Sequence, residues 1–445
     1  MKPYCSYNDC GVEWIGETPL HWSIKKIKYI FFQRKEKNEP IKTDNILSLT
    51  IQQGVIPISE KKSGGNKPKD DISKYNLTYP GDIVLNSMNV IVGSVGLSKH
   101  FGVVSPVYYI LKQINPDDEV KYFEKLFRTE IFQKSLIGLG NGILIKKTES
   151  SGKLNTIRMR IPVDKLNQVV IPHPPIPEQN QIVDYLDHKT QQIDDLIEKT
   201  QTKIELLKEK RTSLINHSVT KGLNPNVDMK NSGIEWIGEV PSHWEITKVK
   251  YETTHIVDGT HFTPTYVDSG IPFLRVTDIQ DEVIDLNTIK YISEEEHLEL
   301  IKRCNPQKGD LLLSKNGTIG ITKVVDWDWE FSIFVSLCLI RFRETFSKYL
   351  FSYFFQSDIV DQQLVESSKQ STVTNLHLDK IRELLLIKPP LLEQQQIVDY
   401  LDEHTKKIES TIEKETQRIE LLKEYRQSLI SEVVTGKIDV REWKQ

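Results

Sequence analysis

The sequence has no run of about 18 apolar residues, so it predicts no membrane-spanning helix. Its first residues also lack the apolar core of a secretion signal. Only 4 cysteines occur among 445 residues, at Cys5, Cys10, Cys304 and Cys338, and their spacing fits no metal site. We therefore expect a cytoplasmic protein with reduced thiols, no metal ion and no contact with a membrane.

The signatures of common enzymes are missing as well. The sequence has no P-loop, no His-x-x-x-His pair typical of zinc sites, and no Asn- or Asp-Pro-Pro-aromatic motif of amino-methyltransferases. A glycine-rich stretch at 138–142 follows a predicted helix, whereas a dinucleotide-binding loop would follow a strand. The acidic residues beside Pro116 are too close together to come from adjacent strands, and a helix-capping turn explains them better. The sequence therefore predicts no catalytic residue and favours a binding and positioning role.

What the sequence does contain is a long charged segment that occurs twice, at 178–220 and 393–435. The two copies align without a gap, and more than half of their positions are identical. Neither copy contains Gly or Pro, and apolar residues recur at alternating three- and four-residue steps. These stripes consist of Ile182, Leu186, Ile193, Ile197, Ile204, Leu207 and Leu214 in the first copy and of Ile397, Leu401, Ile408, Ile412, Ile419, Leu422 and Leu429 in the second. The pattern predicts two helices of roughly 65 Å, each of which buries its stripe against the other.

A shorter block with two tryptophans precedes each half of the chain. Residues 11–22 read GVEWIGETPLHW, and residues 233–244 read GIEWIGEVPSHW. Trp14, His21 and Trp22 could form a binding motif. We favour a packing role, in which the tryptophans attach each half to a helix end and His21 and His243 form hydrogen bonds.

Two stretches between these repeats are called lobe 1 (23–173) and lobe 2 (245–388). In lobe 1, residues 46–51, 82–86 and 103–111 predict strands, with Pro106 at an edge or a bulge. Asp118 is predicted to cap one helix that continues through residue 139. In lobe 2, residues 309–314 and 335–342 predict strands, and residues 347–364 predict one helix. Each lobe is therefore expected to be an α/β domain.

The order along the chain is Trp block, lobe, Pro-Pro and long helix, taken twice. The predicted domains are an N-terminal arm at 1–22, lobe 1 at 23–173, a helix segment at 174–220, a linker with the second Trp block at 221–244, lobe 2 at 245–388, a helix segment at 389–435 and a tail at 436–445. This order predicts an internal pseudo-twofold repeat. We expect two α/β lobes separated by two long antiparallel coiled-coil helices.

The two lobes differ in charge. Lobe 1 holds 24 Lys and Arg against 14 Asp and Glu, a net of +10, whereas lobe 2 holds 16 against 22, a net of −6. A basic surface is the electrostatic mark of a protein that binds a polyanion. Lobe 2 can share this role if its acidic residues, such as Glu294–Glu296, lie away from the nucleic acid.

These features resemble the specificity subunit of Type I restriction–modification enzymes. The resemblance rests on the paired Trp blocks, on Pro174-Pro175 and Pro389-Pro390, on Glu178-Gln179 and Glu393-Gln394, and on helices that end near Val219-Thr220 and Val434-Thr435-Gly436. It implies that the lobes are target recognition domains, that each recognises one half of a split, asymmetric DNA sequence, and that the helices set the unread spacer. It also implies a non-catalytic chain that binds double-stranded DNA, two methyltransferase subunits and restriction or translocase subunits. No cofactor is expected on this chain, while S-adenosylmethionine, ATP and magnesium are expected on the partner subunits.

Base recognition needs forked donors, amides or hydroxyls close to the duplex. The candidates for DNA binding are Asn86, Ser87 and Asn89 after a lobe 1 strand, Lys146, Lys147, Arg158 and Arg160 later in lobe 1, and Arg275, Lys315, Asn316, Thr318, Thr372 and Asn375 in lobe 2. The lysines at 146 and 147 are predicted to contact phosphates. An ordinary polar turn remains an alternative for each of these residues.

Two other functional classes stay open on the residues alone. One is a stand-alone nuclease or DNA methyltransferase. The other is a coiled-coil scaffold without nucleic-acid binding.

Overall fold

The computed structural model describes residues 2–51, 53–61, 71–89, 92–140, 160–281, 283–368 and 375–444. Its helices are α1 (Val120–Phe127), α2 (Glu130–Ser135), α3 (Val163–Gln168), α4 (Ile176–Lys221), α5 (Val249–Glu252), α6 (Glu294–Ile301), α7 (Lys348–Phe354), α8 (Asp358–Ser368), α9 (Leu378–Glu383) and α10 (Leu391–Val434). Its strands are β1 (Tyr7–Asp9), β2 (Glu17–Pro19), β3 (Ser23–Lys26), β4 (Phe31–Arg34), β5 (Leu47–Thr50), β6 (Gly54–Pro57), β7 (Asn76–Thr78), β8 (Ile83–Asn86), β9 (Val95–Leu97), β10 (Gly102–Val104), β11 (Tyr108–Gln113), β12 (Val170–His173), β13 (Met229–Asn231), β14 (Glu239–Pro241), β15 (Glu245–Lys248), β16 (Thr253–Asp258), β17 (Tyr266–Val267), β18 (Ile271–Leu274), β19 (Lys290–Ile292), β20 (Leu311–Ser314), β21 (Thr322–Val324), β22 (Ser332–Ile333), β23 (Leu337–Phe342) and β24 (Leu385–Lys388). None of the described helices is both long and apolar enough to cross a membrane.

Contacts divide the chain into two compact units. Unit 1 consists of the residues up to Thr200 together with those from Gln417 onward, and unit 2 is Gln201–Thr416. The division cuts across α4 and α10, so each unit contains one lobe and half of each long helix. The domain bounds predicted from the sequence, which treat each long helix as a separate segment, stay a prediction.

The centre of unit 1 is an antiparallel sheet with the strand order β4-β11-β8-β9. Ile83 and Leu85 of its inner strand β8 are buried in the same apolar core as Phe123 of α1. That core also contains Ile182 of α4 and Val433 of α10. Lobe 1 therefore shares one core with its halves of the long helices.

Unit 2 repeats this arrangement with a sheet of order β16-β23-β20-β21. Leu311 of β20 and Phe351 of α7 share a core with Val219 of α4 and Leu401 of α10. Unit 2 adds a second sheet of order β17-β19-β18-β22, in which β18 and β22 pair in parallel. The two lobes are α/β, as the sequence predicts.

The facing halves of α4 and α10 are joined by ion pairs within each unit. These pairs are Lys203–Glu415 at 2.6 Å and Arg211–Glu409 at 2.9 Å in unit 2, and Asp194–Arg426 at 2.9 Å in unit 1. Between the two pairs in unit 2, the residue number rises along α4 and falls along α10, as it does in antiparallel helices. Every residue of the two predicted apolar stripes is buried or half-buried. The long antiparallel helices predicted from the sequence are confirmed.

The internal repeat extends to the strand pairing. Tyr7 pairs with Pro19 between β1 and β2, and Met229 pairs with Pro241 between β13 and β14. Strand β3 pairs with β12, which precedes α4, and β15 pairs with β24, which precedes α10. Each Trp block is thus followed by a strand that pairs with the strand leading into a long helix.

The single strand predicted at 103–111 is wrong. It forms two strands, β10 and β11, which pair with different neighbours. Pro106 lies between them in a turn closed by a 3.0 Å hydrogen bond from Tyr108 N to Ser105 O. Because proline has no N–H to donate, the chain turns at this point rather than continuing as one strand.

The two long helices predicted inside the lobes are also wrong, since each is broken into two. In lobe 1, α1 ends at Phe127, and the Thr129 hydroxyl accepts a 3.3 Å hydrogen bond from Phe132 N to begin α2. In lobe 2, α7 ends at Phe354, and α8 begins at Asp358. A threonine can lie inside a helix or cap the start of a new one. The spacing of apolar residues alone therefore does not locate the break.

The prediction that Asp118 caps the first of these helices is wrong. The cap is Glu119, whose side chain accepts a 3.0 Å hydrogen bond from Lys121 N. Asp118 is buried and binds His173 Nε2 at 3.0 Å. Burial and the nearby Lys25 ammonium lower the pKa of His173, although the Asp118 carboxylate opposes this shift. Asp118 therefore joins β12 to the start of α1.

Candidate nucleic-acid interface

The Trp block of unit 1 contacts one end of each long helix. His21 Nε2 lies 2.8 Å from Glu178 Oε2 on the first turn of α4. Trp22 lies beside Gly436 in the turn after α10, where a Cβ on this glycine would stand 3.0 Å from the indole ring. Gly436 has a φ of +77°, a conformation that suits glycine at a helix end. The block therefore fixes where α4 begins and α10 ends.

The Trp block of unit 2 makes the same contacts with the helices exchanged. His243 Nε2 lies 2.7 Å from Glu393 Oε1 on the first turn of α10. Trp244 lies beside Gly222 after α4, where a Cβ would stand 3.0 Å from the ring and the φ is +74°. This is the packing role that we favoured from the sequence over a binding motif.

The residue after each of these glutamates is a buried glutamine that connects a lobe to its long helix. Gln179 donates from Nε2 to Pro174 O at 2.9 Å and accepts from Glu119 N at 2.9 Å. Gln394 donates from Nε2 to Pro389 O at 2.8 Å and accepts from Ser347 N at 2.7 Å. The Pro-Pro and Glu-Gln motifs therefore orient each lobe on its helix.

In lobe 1, two separate candidate segments come together after strand β8. Ile161 N donates a 3.0 Å hydrogen bond to Ser87 O, which places Arg160 beside the 86–89 turn. Asn86 accepts from Met88 N at 3.1 Å and so shapes this turn. Arg160 is exposed, and Asn86 is half-buried. We call residues 86–89 with Arg160 junction 1.

Lobe 2 has the same junction after the equivalent strand β20. Leu376 N donates a 2.8 Å hydrogen bond to Lys315 O, and Asn316 pairs with Asn375. Thr318 and Asn375 are exposed. The Oδ1 atom of Asn316 is buried without a hydrogen-bond partner among the described residues. We call residues 315–318 with Asn375 junction 2. The sequence predicted two candidate loops here, without predicting that they meet.

Two candidates at the junctions have buried side chains. Ser87 is 1% exposed, and its hydroxyl donates to Val107 O at 2.9 Å. Lys315 is 4% exposed, and its Nζ lies 3.2 Å from Asp258 Oδ1. Removal of either member of this pair would leave an uncompensated buried charge, which is costly. This placement favours a structural role for both side chains, and their contact with DNA stays a prediction.

Arg275 lies after β18 and forms a bidentate pair with Asp278. The Nε–Oδ2 and Nη2–Oδ1 distances are both 3.0 Å. Hydrogen bonding to Asp278 raises the pKa of Arg275, although partial burial opposes the shift. Because the guanidinium has five N–H donors, this pair leaves another edge of the group available.

Four candidates lie outside the described residues. They are Lys146, Lys147, Arg158 and Thr372. The segments that contain them lead directly into Arg160 and Asn375, and so into junctions 1 and 2. Among the residues that the structure describes, no group of three or more His, Cys, Asp or Glu side chains could hold a metal ion.

Sequence reasoning missed the partner of Lys315 and the link between the junction segments. Asp258 at the end of β16 is 5% exposed, and no local motif identifies it. The available sequence signal was the Gly-Asp pair before each strand, Gly81-Asp82 and Gly309-Asp310. Aligning these pairs aligns Ser87 with Lys315 and so indicates that the two turns are equivalent. The hydrogen bonds that close both junctions join residues more than 60 positions apart and have no local pattern.

Comparison with known proteins gives consistent matches over most of the chain. Residues 258–421 match the family described as "Type I restriction modification DNA specificity domain". The Type I restriction enzyme MjaVIII specificity subunit of Methanocaldococcus jannaschii is 26% identical over 389 residues, which span 83% of this chain and 83% of that protein. The family model and the relatives together support a specificity subunit of a Type I restriction–modification enzyme. Two solved chains share the fold of this specificity subunit.

The first of these solved chains comes from work on complex assembly and conformational transition of the type I R-M system. It has a TM-score of 0.70 at 15% identity and covers 95% of this specificity subunit and 99% of its own length. The second is the HsdS subunit from Thermoanaerobacter tengcongensis, with a TM-score of 0.56 at 14% identity over 95% of this chain and 98% of that one. A specificity subunit of this family recognises DNA, catalyses no reaction itself and binds no cofactor of its own. Neither a stand-alone enzyme nor a coiled-coil scaffold is favoured by these matches.

Proposed function

We propose that each lobe recognises one half of a split, asymmetric DNA sequence through its junction. The observation behind this proposal is that both lobes form the same junction after equivalent strands but fill it with different side chains. Junction 1 presents Asn89 and Arg160, and junction 2 presents Thr318 and Asn375. Amides, hydroxyls and guanidinium groups are the donors and acceptors that distinguish base edges in the grooves of DNA. Because the two junctions differ, the two half-sequences should differ as well.

The charge of lobe 1 supports a phosphate-binding role. Its net charge is +10, and Lys146 and Lys147 lie in the segment that leads into junction 1. Such contacts supply affinity that does not depend on sequence and that weakens with salt. Phosphate contacts would thus position lobe 1, and the side chains of junction 1 would specify the bases.

Three acidic residues of lobe 2 lie on a helix that packs against its second sheet rather than the sheet that forms the junction. Glu294, Glu295 and Glu296 lie on α6, which packs against β22 of the second sheet. Junction 2 follows β20 of the other sheet. The Glu296 carboxylate accepts hydrogen bonds from Thr265 N at 3.2 and 3.3 Å, so it also serves the fold of the second sheet.

The catalytic steps belong to partner subunits in this proposal. We expect two methyltransferase subunits, which use S-adenosylmethionine to methylate adenine, and restriction or translocase subunits, which use ATP and magnesium. Methylation of a base within a duplex requires the base to leave the stack and enter a pocket. The absence of an amino-methyltransferase motif from this sequence agrees with a pocket on the partner. The two long helices would determine the unread spacer between the half-sequences.

The test is a map of methylated adenines in cells that express this chain with its methyltransferase subunits. Arg160→Ala with Asn89→Ala should relax one half of the methylated sequence and leave the other half intact. Thr318→Ala with Asn375→Ala should affect only the other half. The unmodified chain and Glu205→Ala, a change at an exposed residue outside the lobes, are the controls. Loss of both halves together in either pair, or an unchanged map in both, would contradict the assignment of one half to each junction.

A further inference from the structure

Unit 2 contains an open cleft beside its Trp block. The cleft has a volume of about 320 Å³ and lies between the end of α4, the second Trp block and the start of α10. Its lining includes Leu223, His243, Glu393 and Gln396. Leu223 is 41% exposed, which leaves an apolar side chain facing water in this part of unit 2. All of these residues lie within the same compact unit.

The equivalent cleft of unit 1 is filled by the ends of the chain itself. Tyr4 donates from its hydroxyl to Glu178 Oε1, and the Arg441 guanidinium lies 5.0 Å from the Tyr4 ring. The Trp443 ring packs on Tyr185 with 5.4 Å between their centroids. These three side chains cover the start of α4.

A backbone contact secures this segment as well. Gln181 donates from Nε2 to the Trp443 carbonyl oxygen at 2.9 Å. Gln181 corresponds to Gln396 in the alignment of the two long helices, as Glu178 corresponds to Glu393 and Tyr185 to Tyr400. These three groups therefore have identical equivalents in unit 2. A fourth does not, because the His188 ring, 5.4 Å from that of Trp443, corresponds to Glu403.

Unit 2 has different residues where unit 1 has the segment that these groups bind. Counting back from the Trp blocks, Asn226 stands where unit 1 has Tyr4. Counting on from Gly222 as from Gly436, Val227 and Met229 stand where unit 1 has Arg441 and Trp443, and neither is basic or aromatic. The two equivalent glutamates differ in exposure to solvent, since the Glu178 side chain is 5% exposed and the Glu393 side chain is 36% exposed. Tyr185 is buried, whereas Tyr400 is only half-buried.

We propose that the cleft of unit 2 binds an extended segment of a partner protein that carries a basic residue and, two residues later, an aromatic residue. This is the chemistry of Arg441 and Trp443 in unit 1. The basic side chain would lie near the Glu393 carboxylate, the aromatic ring would pack on Tyr400, and the Gln396 amide would donate to a backbone carbonyl. The proposal concerns assembly with a protein and does not depend on which DNA sequence the lobes recognise.

The probe is a fluorescent peptide with the sequence of residues 436–445, GKIDVREWKQ, added to the full-length protein. We expect weak but saturable binding in fluorescence anisotropy. Gln396→Ala and Leu223→Glu in the protein should each weaken binding about tenfold, as should replacement of the tryptophan by alanine in the peptide. Gln395→Ala is the matched control, because Gln395 is an exposed neighbour whose amide donates to Asp399 Oδ1 at 2.7 Å. This control should leave binding unchanged, and thermal unfolding should show that all variants are folded.

Three results would overturn the proposal. The first is a lack of saturation at peptide concentrations of about 1 mM. The second is binding that Gln181→Ala alters and Gln396→Ala does not, which would show exchange of the peptide with the tail in unit 1. The third is a concentration-dependent dimer that Leu223→Glu abolishes, which would assign the cleft to a second copy of this chain. None of these results would change the map of methylated adenines, so failure here is distinguishable from failure of the proposed DNA recognition.

Discussion

Trp244 donates a 2.9 Å hydrogen bond from its indole Nε1 to Glu393 Oε2 on the first turn of α10. The equivalent Trp22 has no hydrogen-bond partner for its buried Nε1 among the described residues. In unit 1, His21 binds one carboxylate oxygen of Glu178, and the Tyr4 hydroxyl donates a hydrogen bond to the other. The same sequence motif thus closes two helix ends with two different hydrogen-bond patterns. Contact with the helix ends, rather than one fixed pattern, is the property that the Trp blocks share.

The first prediction concerns the buried glutamine of the second Pro-Pro and Glu-Gln motif. Gln394→Ala should lower the free energy of unfolding by about 1–3 kcal/mol, because it leaves Ser347 N and Pro389 O without their hydrogen bonds. Urea unfolding followed by circular dichroism measures this change. Gln395→Ala is the matched control and should have little effect, since Gln395 is exposed. Equal losses for the two variants would show that Gln394 does not join lobe 2 to its helix.

The second prediction separates the apolar stripe of the long helices from their ion pairs. Ile204 is 4% exposed, so Ile204→Ala should cost about 2–5 kcal/mol through lost burial and a cavity. The adjacent Lys203 forms its ion pair with Glu415 while 54% exposed, so Lys203→Ala should cost about 0.2–1 kcal/mol. The two variants are compared by thermal unfolding. A larger loss for Lys203→Ala would mean that charge rather than apolar burial stabilises the helix pair.

The third prediction concerns phosphate contacts by lobe 1. Replacing Lys146 and Lys147 by alanine should weaken DNA binding for all sequences and flatten its dependence on salt, because fewer counterions are released. Titrations of the assembled methyltransferase complex at several salt concentrations give this slope. Lys26→Ala, a change at an amino group that already binds Gln168 Oε1 at 2.9 Å, is the control. An unchanged slope in the double variant would remove both lysines from the interface.

The fourth prediction concerns base recognition by Arg275. If the guanidinium edge left open by Asp278 contacts a base, Arg275→Ala should reduce discrimination at one position by about 1–3 kcal/mol. The methylation map should then show a degenerate base in one half-sequence only. Arg343→Ala, an exposed change in the same lobe, should leave the map intact. Retention of the full parental sequence by Arg275→Ala would reject the role and leave the arginine to its pair with Asp278.

The fifth prediction concerns acid stability. Burial opposes ionisation of Glu252, but hydrogen bonds from Lys388, Thr345 and Thr247 outweigh it and lower the pKa of the carboxyl. The unfolded chain therefore binds a proton at a higher pH than the folded chain does. The stability that this carboxylate contributes is present above about pH 5 and is lost as the pH falls through the lowered pKa.

Glu252→Gln tests this assignment, because its free energy of unfolding should vary less with pH below about pH 5 than that of the unmodified protein. Urea unfolding at several pH values measures the difference. Glu245→Gln, an exposed change on the neighbouring strand β15, is the control. Parallel pH profiles for the unmodified protein and Glu252→Gln would show that another group is responsible.

The features that the sequence predicted correctly are those with a local or repeated pattern. The stripe that includes Ile204 predicted the long helices because burial recurs every three or four residues. The runs of Ile, Leu and Val that follow Gly81-Asp82 and Gly309-Asp310 predicted the strands β8 and β20. Asp118 was assigned wrongly because its preference for a helix cap is local, whereas its partner His173 comes from a distant strand. The junctions were missed for the same reason, since the hydrogen bond between Ile161 and Ser87 depends on tertiary structure alone.

Unit 1 is assembled from the two outer parts of the sequence, whereas unit 2 is one uninterrupted stretch. During synthesis on the ribosome, every residue of unit 2 is therefore available before the last part of unit 1 has been made. The core that surrounds Ile83 gains Val433 only after all of unit 2 has been translated. A premature stop shortly after residue 416 would leave unit 2 with all its residues and damage the lobe nearest the N-terminus instead.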